Sequence, residues 1–151
     1  MGVLSSPFDL PIGRLLALDL GQARHGVAVC DATGTLATPL TIVRRHGTRL
    51  ADFAELQALV DREQARGVLV GLPLQGQAEV RAQARWVVRY AGRLAGALSV
   101  PVAFWDESLS SRDAAALVRG RSGEPLDDAA AALILQDFLE ARRLQLKAED
   151  P

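Results

Sequence analysis

The stretch Arg14-Leu-Leu-Ala-Leu-Asp19-Leu-Gly21-Gln-Ala-Arg24-His25-Gly26-Val-Ala-Val-Cys30 carries two short apolar runs separated by a polar break at Gly21–His25. Each run is the length of a buried strand, and the break is short enough for a hairpin loop, so the spacing predicts an antiparallel pair. Asp31-Ala-Thr-Gly34 then supplies turn residues. Thr35 to Val43 is rich in β-branched side chains and reads as a third strand, with Pro39 favouring a sheet edge.

Past Gly47 the apolar period changes. Leu50, Phe53, Ala54, Leu56 and Val60 recur at helical spacing, with Gly67 as the expected stop. Val68-Leu-Val-Gly71 is a strand; Val80, Ala84, Val87, Ala91, Leu94 and Leu98 mark one face of a long helix; and Val100 to Trp105 is a further strand. Ser110–Arg119 reads as a helix, Arg121–Pro125 as a loop and Asp127–Leu146 as a last helix. A hairpin-built half followed by βα units predicts an α/β domain with a mixed five-stranded sheet and helices on both faces. That is the element order of the RNase H-like fold. Residues 1–13 are expected to form a flexible leader, 14–146 a single domain and 147–151 a tail.

Apolar residues at 49% and charged residues at 23% exclude wholesale disorder, and no apolar run reaches the ~20 residues of a membrane span. The single cysteine, Cys30, has no internal disulfide partner and apolar neighbours, which predicts a core residue in a cytoplasmic protein. A formal net charge of −1 gives no global sign of a polyanion partner. His25 and His46 fall in predicted turns and are expected to be solvated. No Cys/His cluster suits zinc, and no phosphate-cradling glycine motif occurs.

Three carboxylates stand out. Asp19 ends an apolar strand just before a glycine turn, where an ionised group needs a partner. It is either a turn-capping residue or a metal ligand. Glu107, beside Asp106, repeats this after Val102-Ala-Phe-Trp105. Asp127 and Asp128 open the last helix, where acids also favour the helix dipole. Together Asp19, Glu107 and one of the two helix-start aspartates, Asp127 or Asp128, supply hard oxygen donors suited to Mg²⁺ or Mn²⁺, and two such ions activate water and offset charge at a phosphoryl group. If the strand at Val68 lies between the other two, Asp19 and Glu107 start about 10 Å apart across the sheet.

These segments resemble the YqgF/RuvX family. Asp19-Leu-Gly-Gln-Ala-Arg-His-Gly-Val-Ala-Val29 is similar to its first-strand signature, Val70-Gly-Leu-Pro-Leu74 to its central motif, Asp106-Glu-Ser-Leu-Ser-Ser111 to its Asp-Glu-Arg-Leu segment, and Leu126-Asp-Asp-Ala-Ala-Ala-Ala-Leu-Ile-Leu-Gln136 to its last helix start. The resemblance implies an RNase H-like, metal-dependent nuclease with Asp19, Glu107 and Asp127 as its catalytic acids and metal ligands. It implies nucleic acid as substrate: the 5′ end of precursor 16S ribosomal RNA, with a ribosomal precursor particle as partner, or alternatively a four-way DNA junction. Ser108 stands where the family usually carries arginine, and Gln75-Gly-Gln-Ala-Glu79 is shorter than the family's equivalent.

Arg81, Arg85, Arg89 and Arg93 recur every four residues along the long helix, either as a solvated face or as a track for phosphates. Arg24, close to Asp19 in sequence, is the best single candidate for a phosphate contact. Trp86, Tyr90 and Trp105 are either core or base-stacking residues. Two other function classes remain open at this level. A nucleotide clamp of the sugar-kinase kind needs two such lobes, where 151 residues supply one. A non-catalytic ribosome-assembly factor has no use for three acids.

Overall fold

The computed structural model describes residues 2–73, 78–106 and 127–149, with side chains in the last segment from residue 129. Five strands, β1 (Leu16–Asp19), β2 (Arg24–Cys30), β3 (Ala37–Arg44), β4 (Val68–Leu72) and β5 (Val102–Asp106), form one sheet in the order β3-β2-β1-β4-β5. β1 and β2 pair antiparallel, as do β2 and β3, whereas β4 runs parallel to β1 and β5 parallel to β4. Pro39 lies in the edge strand β3, opposite Ala28 and beside a register shift in the β2–β3 pairing.

Strand alternation divides the core. Leu16, Leu18, Val68 and Val70 face one side and pack beneath α1 (Arg49–Glu63) and α2 (Ala78–Ala97). Leu15, Ala17, Leu69 and Ala103 face the other and pack against α3 (Asp127–Glu149) through Ala131, Ile134, Leu135 and Phe138. Cys30 is buried on this second side, as its neighbours imply. The expected helix at 110–119 and loop at 121–125 lie outside the described residues.

Two expectations change. Thr48 caps α1 through the Ala51 N–H, but the helix ends at Glu63 with Gln64 left-handed at φ 53°, before the expected stop. Gly67 instead serves the approach to β4: a Cβ there would come within 2.8 Å of Leu10 Cδ2. Leu10 belongs to the segment expected to be a flexible leader, and that segment is packed. Val3 bridges Val102, Pro7–Asp9 make a 3₁₀ turn, and Leu10 is only 3% exposed. Phe8 stacks on Phe138 and meets Trp105 edge-on. The physical reason is that the β5 edge and the α3 face would otherwise leave this apolar surface in water.

Candidate active site

Asp19 is the last residue of β1, the middle strand, and is half-buried. It shares its side of the strand with Leu15 and Ala17, the side that α3 covers. At the sheet's end it joins Leu20, Gly71, Pro73, Glu79 and Gln83 around a cleft of about 330 Å³. Gly21 makes the turn beside it possible, since a Cβ at that position would sit 2.5 Å from the Arg24 carbonyl oxygen. The glycine of Asp-Leu-Gly is thus a steric requirement of the loop that follows Asp19.

β4 does lie between β1 and β5. The backbones at Asp19 and at the end of β5 are therefore about 10 Å apart, two strand spacings. Asp106 closes β5 opposite Leu72 and is half-buried. Glu107, the residue after it, lies outside the described residues, as do Ser108 and residues 74–77. Asp127 begins α3. The Gln136 side chain accepts from the Ala37 N–H, and Cys30, the register partner of Ala37, donates its N–H to Leu15 O. From that level α3 rises about 14 Å back to Asp127, and β1 rises about 13 Å to Asp19. Arg142, further along α3, donates to Pro11 O ahead of β1, so the N-terminal end of α3 points toward the end of the sheet that carries Asp19.

Beneath this end runs a ring of hydrogen bonds that the sequence reading did not foresee. His25 is fully buried in β2, not a solvated loop residue. Its Nδ1 accepts from the Gly21 N–H at 3.1 Å, which places its proton on Nε2, and Nε2 donates to Tyr90 Oη at 2.9 Å. Tyr90 in turn donates to Asp52 Oδ2 at 3.3 Å. Asp52, also fully buried, accepts from Arg45 Nε at 3.0 Å and from the His46 N–H at 2.6 Å. Arg45 closes the ring by donating Nη1–H to the Gln22 carbonyl at 3.2 Å. The loop carrying Gly21 and Gln22 is therefore tied to α1 and α2 at both residues. Burial, then the nearby Arg45 charge, lowers the His25 pKa from 6.5 to about 4, so the ring contains a neutral imidazole. Burial alone would raise the Asp52 pKa, but the donors from His46 and Arg45 outweigh it and hold the carboxylate ionised. Burial, with the Asp52 charge, pushes the Tyr90 hydroxyl well up, so it remains a donor. No local sequence pattern signals this ring: Asp52 reads as an ordinary first-turn acid of α1.

His46, by contrast, is exposed and pairs with Glu55. Arg24 opens β2, exposed and opposite Arg44. Arg81, Arg85 and Arg89 are exposed along α2. Tyr90 and Trp105 are core residues; Trp86 is half-buried and stacks on Tyr90 at 5.1 Å.

Among the described residues no three His, Cys, Asp or Glu side chains converge as a metal cluster. The donor chemistry at this end still discriminates between metals. Both His25 nitrogens are engaged, and Cys30 is buried at the far end of β2. What the described residues bring to this end are the strand-end carboxylates of Asp19 and Asp106, oxygen donors of the kind that suit a hard divalent cation.

The sequence pattern of the family described as RuvX: Holliday junction resolvase matches residues 13–141. The chain belongs to the RuvX family. A relative from Chloroflexus aurantiacus bearing the name "Putative pre-16S rRNA nuclease" is 42% identical over 135 residues, covering 85% of this chain and 88% of its own. One from Trichormus variabilis with the same name is 40% identical, with coverage of 85% and 88%. Among solved structures, RuvC from T. thermophilus in complex with Holliday junction substrate superposes with a TM-score of 0.66 at 18% identity, over 87% of this chain and 96% of that one. A second Thermus thermophilus RuvC structure gives 0.59 at 19%, over 86% and 96%. The RuvX chain thus has the RuvC-like, RNase H-like fold expected from its element order.

Proposed function

We propose that this RuvX-family chain is a divalent-metal-dependent nuclease that hydrolyses phosphodiester bonds in RNA, at the 5′ end of precursor 16S ribosomal RNA in the cytoplasm. The observation that supports the reading is the half-buried carboxylate of Asp19 at the end of the middle strand, beside its cleft. The names borne by relatives at about 40% identity favour RNA and the ribosomal precursor particle as its context.

In this reading Asp19, Glu107 and Asp127 hold Mg²⁺ or Mn²⁺, in a two-ion arrangement. The ions, when bound, supply an activated water and neutralise charge on the phosphate. The chain's own part is positional. Gly21 and the His25–Tyr90–Asp52–Arg45 ring fix the Asp19 loop, so the carboxylate does not reorganise when the substrate phosphate arrives. Arg24 contacts a phosphate beside the cleavage point, and Arg81, Arg85 and Arg89 attract the flanking strand.

Cleavage of a four-way DNA junction is the second reading, favoured by the family's description. Labelled single-stranded RNA carrying a precursor 5′ extension and a four-way DNA junction are to be incubated with the protein in Mn²⁺, Mg²⁺ or EDTA. Metal-dependent shortening of the RNA is the expected result. Junction cutting without RNA cutting would replace the ribosomal assignment with the second reading, and no cutting of either would leave a binding factor.

A further inference from the structure

A second cleft, of about 490 Å³, opens on the α1–α2 side of the sheet, where its lining residue Arg45 donates to Gln22 O in the loop after Asp19. It is lined by Arg45, Thr48 and Arg49 from the β3–α1 connection and by Trp86, Arg89 and Arg93 from α2. No acidic residue is among its lining. Arg45 is committed to Asp52 and Gln22, with its guanidinium 5.5 Å from the Trp86 ring centre. Arg49, Arg89 and Arg93 are exposed, and among the described residues no ion pair engages them. Three like charges gathered around one concavity, in a chain of formal net charge −1, repel one another until a polyanion occupies it. The first turn of α1 adds its partial positive charge at the same mouth.

The mouth of the cleft at Arg45, Thr48 and Arg49 is at the same end of the sheet as Asp19. β3 ends at Arg44 opposite Arg24, and Gly26, two residues on, pairs with Asp19. Gln83, which donates to Leu20 O beside Asp19, precedes Arg89 and Arg93 on α2 by about 9 and 15 Å of helical rise. A strand held at Asp19 can therefore continue over the Gln22 loop into the cleft.

We propose that this cleft is a second backbone-phosphate site, engaged by the single strand on one side of the bond positioned at Asp19; the inference rests on the nuclease reading. Arg49, Arg89 and Arg93 carry it. Arg81 and Arg85, which share the α2 stripe, do not line it. The stripe thus divides into a part that builds a site and a part that adds general positive potential.

The test is equilibrium binding of a fluorescent oligouridylate across a salt series. It uses full-length Asp19→Asn protein, so that hydrolysis does not enter. Combined Arg49→Glu, Arg89→Glu and Arg93→Glu is compared with combined Arg62→Glu, Arg143→Glu and Lys147→Glu, which changes net charge equally at exposed positions near the opposite helix ends. Thermal melts check that both sets fold. The cleft set is expected to weaken binding at least about tenfold and to flatten the slope of log affinity against log salt by about two, at ~0.7 per lost single-strand contact. Equal affinity and slope for the cleft set, or an equal loss in the control set, would overturn the proposal. Absence of RNA cleavage by the wild type, with the cleft set still selectively weakened, would discard the nuclease reading and keep the site.

Discussion

His25 occupies a place where an imidazole does what few side chains can: it accepts from the Gly21 N–H on one nitrogen and donates to Tyr90 from the other. Its flanks, Arg24 and Gly26, look like a turn, and its partner Tyr90 is 65 residues away, so local sequence pattern carries no trace of the role. The consequence is a pH dependence with a definite sign. In the unfolded chain His25 titrates near 6.5, and in the folded chain near 4. Between these values the unfolded state binds a proton that the native state refuses, so acid favours unfolding. The contribution is complete above pH 6.5, falls through the interval and is gone below about pH 4, amounting to roughly 3 kcal/mol. Urea unfolding at pH 7 and pH 4.5 should show a smaller loss for His25→Gln than for the wild type. Identical losses would mean that His25 is not the group responsible.

At the scale of the element, most of the strands and helices were legible because each has one apolar period and one covered face. β1, β2 and β4 read as strands from short apolar runs, and α2 from its Val87–Leu94 stripe. Contacts that join elements were not legible. Asp52 lies in the first turn of α1 and looks like an ordinary dipole-favouring acid, yet it is buried under Arg45, His46 and Tyr90. Asp52→Ala should therefore cost about 3–5 kcal/mol in urea unfolding, because Arg45 and Tyr90 lose a buried acceptor. Arg143→Ala, which breaks the exposed pair with Glu140, should cost less than about 0.5 kcal/mol. Similar costs for the two would deny the ring a structural role. The arginine stripe was visible at its four-residue spacing, but its completion by Arg45 and Arg49 was not, since these come from another element.

For the whole molecule, the hairpin-first order was enough to anticipate a mixed sheet with helices on both faces, since three antiparallel strands followed by βα units leave few ways to build one. The packing of residues 2–13 was missed because Gly2, Ser5, Ser6, Pro7, Pro11 and Gly13 read as a loop, while Phe8 and Leu10 acquire meaning only once α3 covers them. Leu10→Ala should destabilise by about 2–4 kcal/mol, measured by urea midpoint. A change under half a kcal/mol would show the segment to be dispensable to the core.

The same whole-molecule geometry gives the candidate site its logic: β1 and the parallel β5 end at one edge of the sheet, with Asp19 and Asp106 as their last residues, and the catalytic acids are proposed to gather there. The most direct measurement is the Mn²⁺-dependent rate of RNA cleavage by wild type and Asp19→Asn, with matched melting curves for the two proteins. Loss of at least about a hundredfold in rate, an unchanged melt and abolition of wild-type activity by EDTA are the results expected. An Asp19→Asn protein that folds and cuts as fast as the wild type would contradict the assignment of Asp19 to the chemistry and the metal-site account built on it.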